Sequence, residues 1–195
     1  MKINYNQIMH KQISQLQSKP KLLLHVCCAP CSSGVLPKLE QFFDITLFYY
    51  NPNTYPETEY NLRAEQFCKF TSLPIIIHKY NHNEFLEIAK EFCNEIEGGI
   101  RCQKCIKLRM EQSFKYAKMN NFDYITTTLS ISPHKNAELI NLCGGQLEKE
   151  YKVKYLYADF KKDNGYLNSI KYSKEYQLYR QEYCGCEFSI NKTHN

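Results

Sequence analysis

Seven of the ten cysteines in this chain fall into three short groups. Cys27, Cys28 and Cys31 share "HVCCAPCSSG", Cys102 and Cys105 form a CxxC in "RCQKCIKLRM", and Cys184 and Cys186 form a CxC in "YRQEYCGCEFS". Loops that each supply two or three thiols from distant parts of a chain build soft four-coordinate metal sites. Four thiolates suit zinc as well as iron–sulfur, but a structural zinc staples a small knuckle without a core of its own. A larger fold favours a cluster that carries electrons. A CxPC after an apolar run also fits a thioredoxin-like thiol-disulfide oxidoreductase, although that chemistry needs neither Cys27 nor a second CxxC. Cys184-Gly185-Cys186 has its own logic: a disulfide across one residue closes a strained ring and is easily reduced, which suits an electron relay. The alternative is two reduced thiols, one of them a further metal ligand. Cys68, Cys93 and Cys143 stand alone in helical stretches and read as packing residues.

These groups must be held in place by regular structure. "KLLLHV" (21–26), "DITLFYYNPN" (44–53), "PIIIHKY" (74–80), "DYITTTLSIS" (123–132) and "KVKYLYADF" (152–160) are five β-rich runs. "CCAPCSSG" reads as a loop, and "VLPKLEQFF" starts the helix after it. Helical patterns occupy the other connections: "PETEYNLRAEQFCKFTS", "NEFLEIAKEFCNEI", "RCQKCIKLRMEQSFKYAKMNNF" and "HKNAELINLCGGQLEKE". The stretch "GYLNSIKYSKEYQLYRQEY" closes the chain as mostly helix. The alternation predicts an α/β fold, a three-layer parallel sheet of about five strands with helices on both faces. It is expected as one domain over 21–195, after a helical lead-in over 1–20. Such sheets place ligands at the carboxyl ends of their strands. "CCAPCSSG", "YYNPN" and "LSISPHKN" each follow a strand, so the three loops should meet at one rim.

The composition, 43% hydrophobic and 23% charged, is that of a globular chain. Only the tail "NKTHN" reads as disordered. The net charge of +5 permits an anionic partner without requiring one. Lys149, Lys152, Lys154, Lys161, Lys162, Lys171 and Lys174 alternate with Tyr151, Tyr155, Tyr157, Tyr166 and Tyr172. That run is either a solvated face or a nucleic-acid surface on which bases stack. The N-terminal "MKINYNQIMHKQISQLQSKP" lacks the apolar core of a secretion signal, and no run of apolar residues is long enough to span a membrane. A cytoplasmic location follows, where thiols stay reduced.

Taken together, "LLLHVCCAPCSSG", "YYNPNTYPETEYNLR", "RCQKCIKLRM", "TTTLSISPHKN" and "YRQEYCGCEFS" resemble the QueH family of epoxyqueuosine reductases, in the family's order from Leu22 to Ser189. The resemblance implies an adenine-nucleotide-hydrolase-like (Rossmann-like) fold and a cobalamin-independent enzyme. It would reduce epoxyqueuosine at the wobble position of a tRNA to queuosine. It puts a 4Fe-4S cluster on Cys27, Cys28, Cys102 and Cys105, and a redox-active pair on Cys184 and Cys186. Cys31 falls outside the four ligands and is a candidate for a second iron. The electron donor is left unidentified, and the rival readings are the thiol-disulfide oxidoreductase and a non-catalytic zinc-binding tRNA module. Removal of the epoxide oxygen needs a proton donor. His134, Glu59 and Tyr60 are candidates, whereas His25, inside a strand, reads as a core residue.

Overall fold

The computed structural model describes residues 3–190; the tail "NKTHN" lies outside them. Strands β1 (Lys21–His25), β2 (Asp44–Tyr49), β3 (Ile75–Ile77), β4 (Tyr124–Thr127) and β5 (Lys154–Tyr155) form one parallel sheet in the order β3-β2-β1-β4-β5. Side chains alternate between faces with a period of two, so Leu22 and Leu24 enter one core and Leu23 the other. A central strand buried on both faces reads as the uninterrupted apolar run "LLL".

Helices cover both faces, as expected for a three-layer α/β fold. The core over Leu22 and Leu24 takes residues from α1 (Tyr5–Ser14), α3 (Leu36–Leu39) and α4 (Glu57–Glu65). There α2 (Ala29–Ser33) packs against α8 (Gly165–Glu175). The core over Leu23 takes α6 (Ile100–Met119) and α7 (Ala137–Tyr151). Helix α5 (Asn83–Ala89) rests on α6 beyond that core, and α9 (Glu187–Ile190) ends the described chain. Helix α1 is tied to the β5 side of the sheet. The Gln12 amide donates to the Tyr155 carbonyl at 2.8 Å and accepts from the Tyr157 N–H at 3.0 Å.

Several elements are shorter than their sequence patterns. The run "DYITTTLSIS" is strand only to Thr127 and then tightens into a 3-10 turn, Thr128–Ile131. "KVKYLYADF" supplies a two-residue strand. "CCAPCSSG" is not all loop, because α2 starts at Ala29 with Pro30 in its first turn, where a missing N–H costs little. Helix α8 stops at Glu175, where Gln177 takes φ 52° and the Leu178 N–H bonds the Ser173 carbonyl at 2.8 Å. That pattern caps a helix C-terminus and turns the chain away.

The strand order has one reversal. From β1 the chain steps outward through β2 to β3, then crosses back to place β4 on the other side of β1. Loops leaving β1 and β4 therefore part at the switch point, the place where open α/β sheets bind ligands. His25, Phe48 and Thr127 are level with one another at that rim.

Candidate metal and redox site

His25 ends β1 as a strut rather than a reactive group. Its ring is fully buried between the Thr127 hydroxyl (2.8 Å) and the Tyr50 carbonyl (3.1 Å). A carbonyl only accepts, so Nε2 carries the hydrogen and Nδ1 accepts from Thr127. Burial, helped by Arg109, pushes its pKa down to about 4 and keeps it neutral. Beyond it the Asn51 amide holds the Val26 carbonyl at 2.9 Å, and the backbone turns into α2.

This turn brings the sulfurs of Cys27, Cys28 and Cys31 within 4.8 Å of one another. Cys27 and Cys28 are 3.8 Å apart, and the Thr128 hydroxyl donates to Cys27 at 3.4 Å. Hydrogen bonds from Cys28 and Cys31 pull Cys27 well below the usual thiol range, with Lys135 and Thr128 assisting. The bond to Cys27 and burial push Cys28 up to about 12, and Cys31 moves the same way. Within the trio Cys27 is the thiol most readily ionised. A metal cation would displace the remaining protons.

Cys102 and Cys105 lie on the first turns of α6, and helical spacing sets Arg109 one turn beyond Cys105. The Cys102 sulfur accepts from the Gly98 N–H at 3.3 Å. Cys105 is buried with Cys186, Phe85 and Ala89, and burial pushes it up to about 12. Cys184 and Cys186 are both free thiols, and the Cys186 sulfur lies 3.6 Å from the Ser189 hydroxyl. Side chains from elsewhere hold this segment. The Arg63 guanidinium donates to the carbonyls of Cys184 (3.2 Å) and Tyr183 (3.5 Å), lies over the Tyr183 ring, and pairs with Glu59 at 2.7 Å. The Tyr55 N–H holds the Gly185 carbonyl at 2.8 Å. Gly185 sits at φ 130°, and a Cβ there would come within 3.0 Å of the guanidinium, so only glycine fits.

Two cavities meet between these groups. The larger, about 430 Å³, is lined by Cys27, Cys28 and Cys31 together with polar side chains. The smaller, about 110 Å³ and mainly apolar, is lined by Cys102, Cys105, Cys184 and Cys186. Arg109, Lys135 and Cys184 line both. Arg109 is buried and donates to the Asn51 side-chain oxygen and the Cys105 carbonyl, each at 3.3 Å. Half-buried Lys135 places Nζ 3.6 Å from the Cys184 sulfur. Burial alone would lower Lys135, but Cys184 and Cys27 outweigh it and hold the amine charged. Among the described residues no carboxylate forms an ion pair with either cation. Cys105, Cys184, Cys27 and Cys102 all lie close enough to act on Arg109. A buried cation needs an anionic partner. Here the groups on offer are thiols, which on losing their protons to a metal become the donor set of an anionic metal–thiolate centre.

The tight trio therefore includes Cys31, while Cys102 and Cys105 share their cavity with Cys184 and Cys186. Cys143 is half-buried against the second core, but Cys68 and Cys93 are exposed rather than packed. Both lie at 3-10 turns, Gln66–Lys69 and Lys90–Phe92, where the helical period that would have buried them has ended. Of the three candidate proton donors, His134 lines both cavities. The Tyr60 hydroxyl donates to the His78 carbonyl at 2.6 Å, and Glu59 is held by Arg63 and Tyr179. Tyr155 is buried in the second core and cannot stack on a base, and Lys161 pairs with Asp159 at 3.2 Å. Sequence reasoning gave no role to Arg63, Arg109 or Lys135. The available signal was a basic residue one turn after a cysteine, and another two residues after "SP" at a strand end.

The family described as "Epoxyqueuosine reductase QueH" matches residues 22–192. A relative of that name from Staphylococcus epidermidis is 42% identical over 98% of this chain and 86% of its own length. One from Staphylococcus aureus is 40% identical over 96% and 84%. A more distant one, from Thermotoga maritima, is 35% identical over 87% and 90%. The match spans every thiol group described above, and the chain belongs to the QueH family of epoxyqueuosine reductases.

Proposed function

We propose that this chain reduces epoxyqueuosine, already at the wobble position of a tRNA, to queuosine. It would do so in the cytoplasm and without cobalamin, as the last step of queuosine biosynthesis. The observation that carries the reading is the convergence of seven thiols around Arg109 and Lys135 at the switch point of the sheet. Removing an epoxide oxygen to leave an alkene takes two electrons and two protons and releases water. Cys27, Cys28, Cys102 and Cys105 would hold a 4Fe-4S cluster, and Cys31, beside Cys27 and Cys28, is the thiol left for a second iron. When bound, such a cluster supplies electrons one at a time. Cys184 and Cys186 store two electrons as a dithiol, which an external donor reloads. A cavity of about 430 Å³ is in the range that small ligands occupy, so it suits a nucleoside turned out of the anticodon loop. Exposed Lys162, Lys171 and Lys174 are placed to meet phosphates.

The test is an anaerobic assay with dithionite and tRNA carrying epoxyqueuosine, followed by nucleoside analysis. Brown protein that converts epoxyqueuosine to queuosine is the expected result. Colourless protein that leaves the epoxide intact overturns the reading in favour of a thiol-disulfide oxidoreductase or a zinc-binding tRNA module.

A further inference from the structure

Resting on that reading, we propose that Lys135 is a catalytic residue, the group that protonates the epoxide oxygen as its carbon–oxygen bond breaks. The side chain lines both cavities, as Cys184 does, and shares the larger one with Cys27 and Cys31. Its backbone is fixed, because the Lys135 N–H bonds the Ser132 carbonyl at 3.2 Å and its carbonyl accepts from Lys161 Nζ at 3.3 Å. One ammonium hydrogen bond goes to the Cys184 sulfur, a weak acceptor, and an ammonium has three N–H groups to give. Arg109 and Lys135 are the two cations lining both cavities, and they differ in one respect: a guanidinium keeps its protons, whereas an amine can release one. Tyr60 and Glu59 have their polar atoms committed elsewhere. His134 and Glu97, although they line both cavities, are exposed.

The step balances without further reagents. The Cys184–Cys186 dithiol becomes a disulfide and gives up two electrons and two protons. The epoxide takes both electrons, both carbon–oxygen bonds break, and a carbon–carbon double bond forms. Lys135 passes a proton to the oxygen as the first bond breaks, since an alkoxide is a far stronger base than a lysine amine. The Cys184 proton restores the ammonium, and the second thiol proton completes the water.

The experiment compares wild type, Lys135→Ala and Lys135→Arg in single turnover, with iron content and tRNA affinity measured on each. Lys135→Ala should keep iron and tRNA binding and lose about a hundredfold in rate, the scale of one general acid. Added ethylamine should restore part of that rate, and a series of amines should restore it according to their basicity. Lys135→Arg, with the charge but no proton to give, should stay slow. A Lys135→Ala rate within about twofold of wild type, far short of a general-acid loss, overturns the assignment. So does a Lys135→Arg variant with full rate, even if the alanine variant fails to fold. A folded, slow alanine variant that no amine rescues also overturns it. Wild-type protein that leaves the epoxide intact removes the reductase reading, and this inference with it.

Discussion

The chain presents its thiols in two contrasting ways. Cys27, Cys28 and Cys31 stand at the end of the central strand, and backbone fixes them: β1 before, α2 after, and the Asn51 amide at the turn. Cys184 and Cys186 stand on an irregular stretch between α8 and α9, and groups from distant segments fix them, chiefly Arg63 and the Tyr55 N–H. The first arrangement resists movement because displacing it would break the sheet. The second can shift by giving up a few polar contacts, and such segments open at lower free energy. On the proposed function, a metal platform would need the first quality, and a carrier meeting an outside electron donor would need the second.

The largest expected effect tests whether the platform reaches across to α6. Changing Cys27, Cys28, Cys102 or Cys105 to Ala should each remove most of the iron and sulfide after anaerobic reconstitution, while Cys68→Ala and Cys93→Ala leave both at wild-type level. Full occupancy in both Cys102→Ala and Cys105→Ala would confine the centre to the Cys27–Cys31 trio.

The relay comes next. Cys184→Ser with Cys186→Ser should leave fold and iron intact and cut turnover to a small remainder. Steady-state rates equal to wild type would return this pair to a packing role.

Arg63 separates the two regions. Arg63→Ala leaves Glu59 buried without its partner, a loss of about 3–5 kcal/mol by analogy with other broken buried pairs. In a chain of this size that is a fall of roughly 6–20 °C in melting temperature. Iron content should hold while the reduction potential of the Cys184–Cys186 pair moves. A potential unchanged in Arg63→Ala would mean that backbone alone shapes the segment.

The smallest effect lies on the outer face. Reversing Lys162, Lys171 and Lys174 to Glu should weaken tRNA binding and flatten its salt dependence by up to about three phosphate contacts, with the iron untouched. An unaltered salt slope would put the tRNA elsewhere.

The same contrast explains what was legible in the sequence. The sheet could be read because "KLLLHV" and "DITLFYY" are buried on both faces and carry their own local pattern. The Cys27 loop could be read because strand, thiols and helix start are contiguous. The clamp on Cys184 could not, since Arg63 reaches it from 121 residues away and nothing in "ETEYNLR" points to that destination. Cys68 and Cys93 misled for a related reason: their neighbours keep a helical rhythm in sequence while the backbone has already left the α-helix. Tyr155 alternates with lysines along the chain, yet its place on β5 turns it into the core.

Arg109 and Lys135 also bear on how this protein matures. Both cations are set among thiols, and among the described residues no carboxylate forms an ion pair with either, so an anionic centre held by those thiols would add to the compensation the thiols already give them. A negatively charged centre that binds only the native chain stabilises it by mass action, about 4 kcal/mol at a thousandfold excess over its dissociation constant. If these thiols hold such a centre, metal delivery would double as a late folding step. Chains made during iron starvation would melt earlier and fall to proteases sooner, so the cell's stock of this protein would track its iron supply.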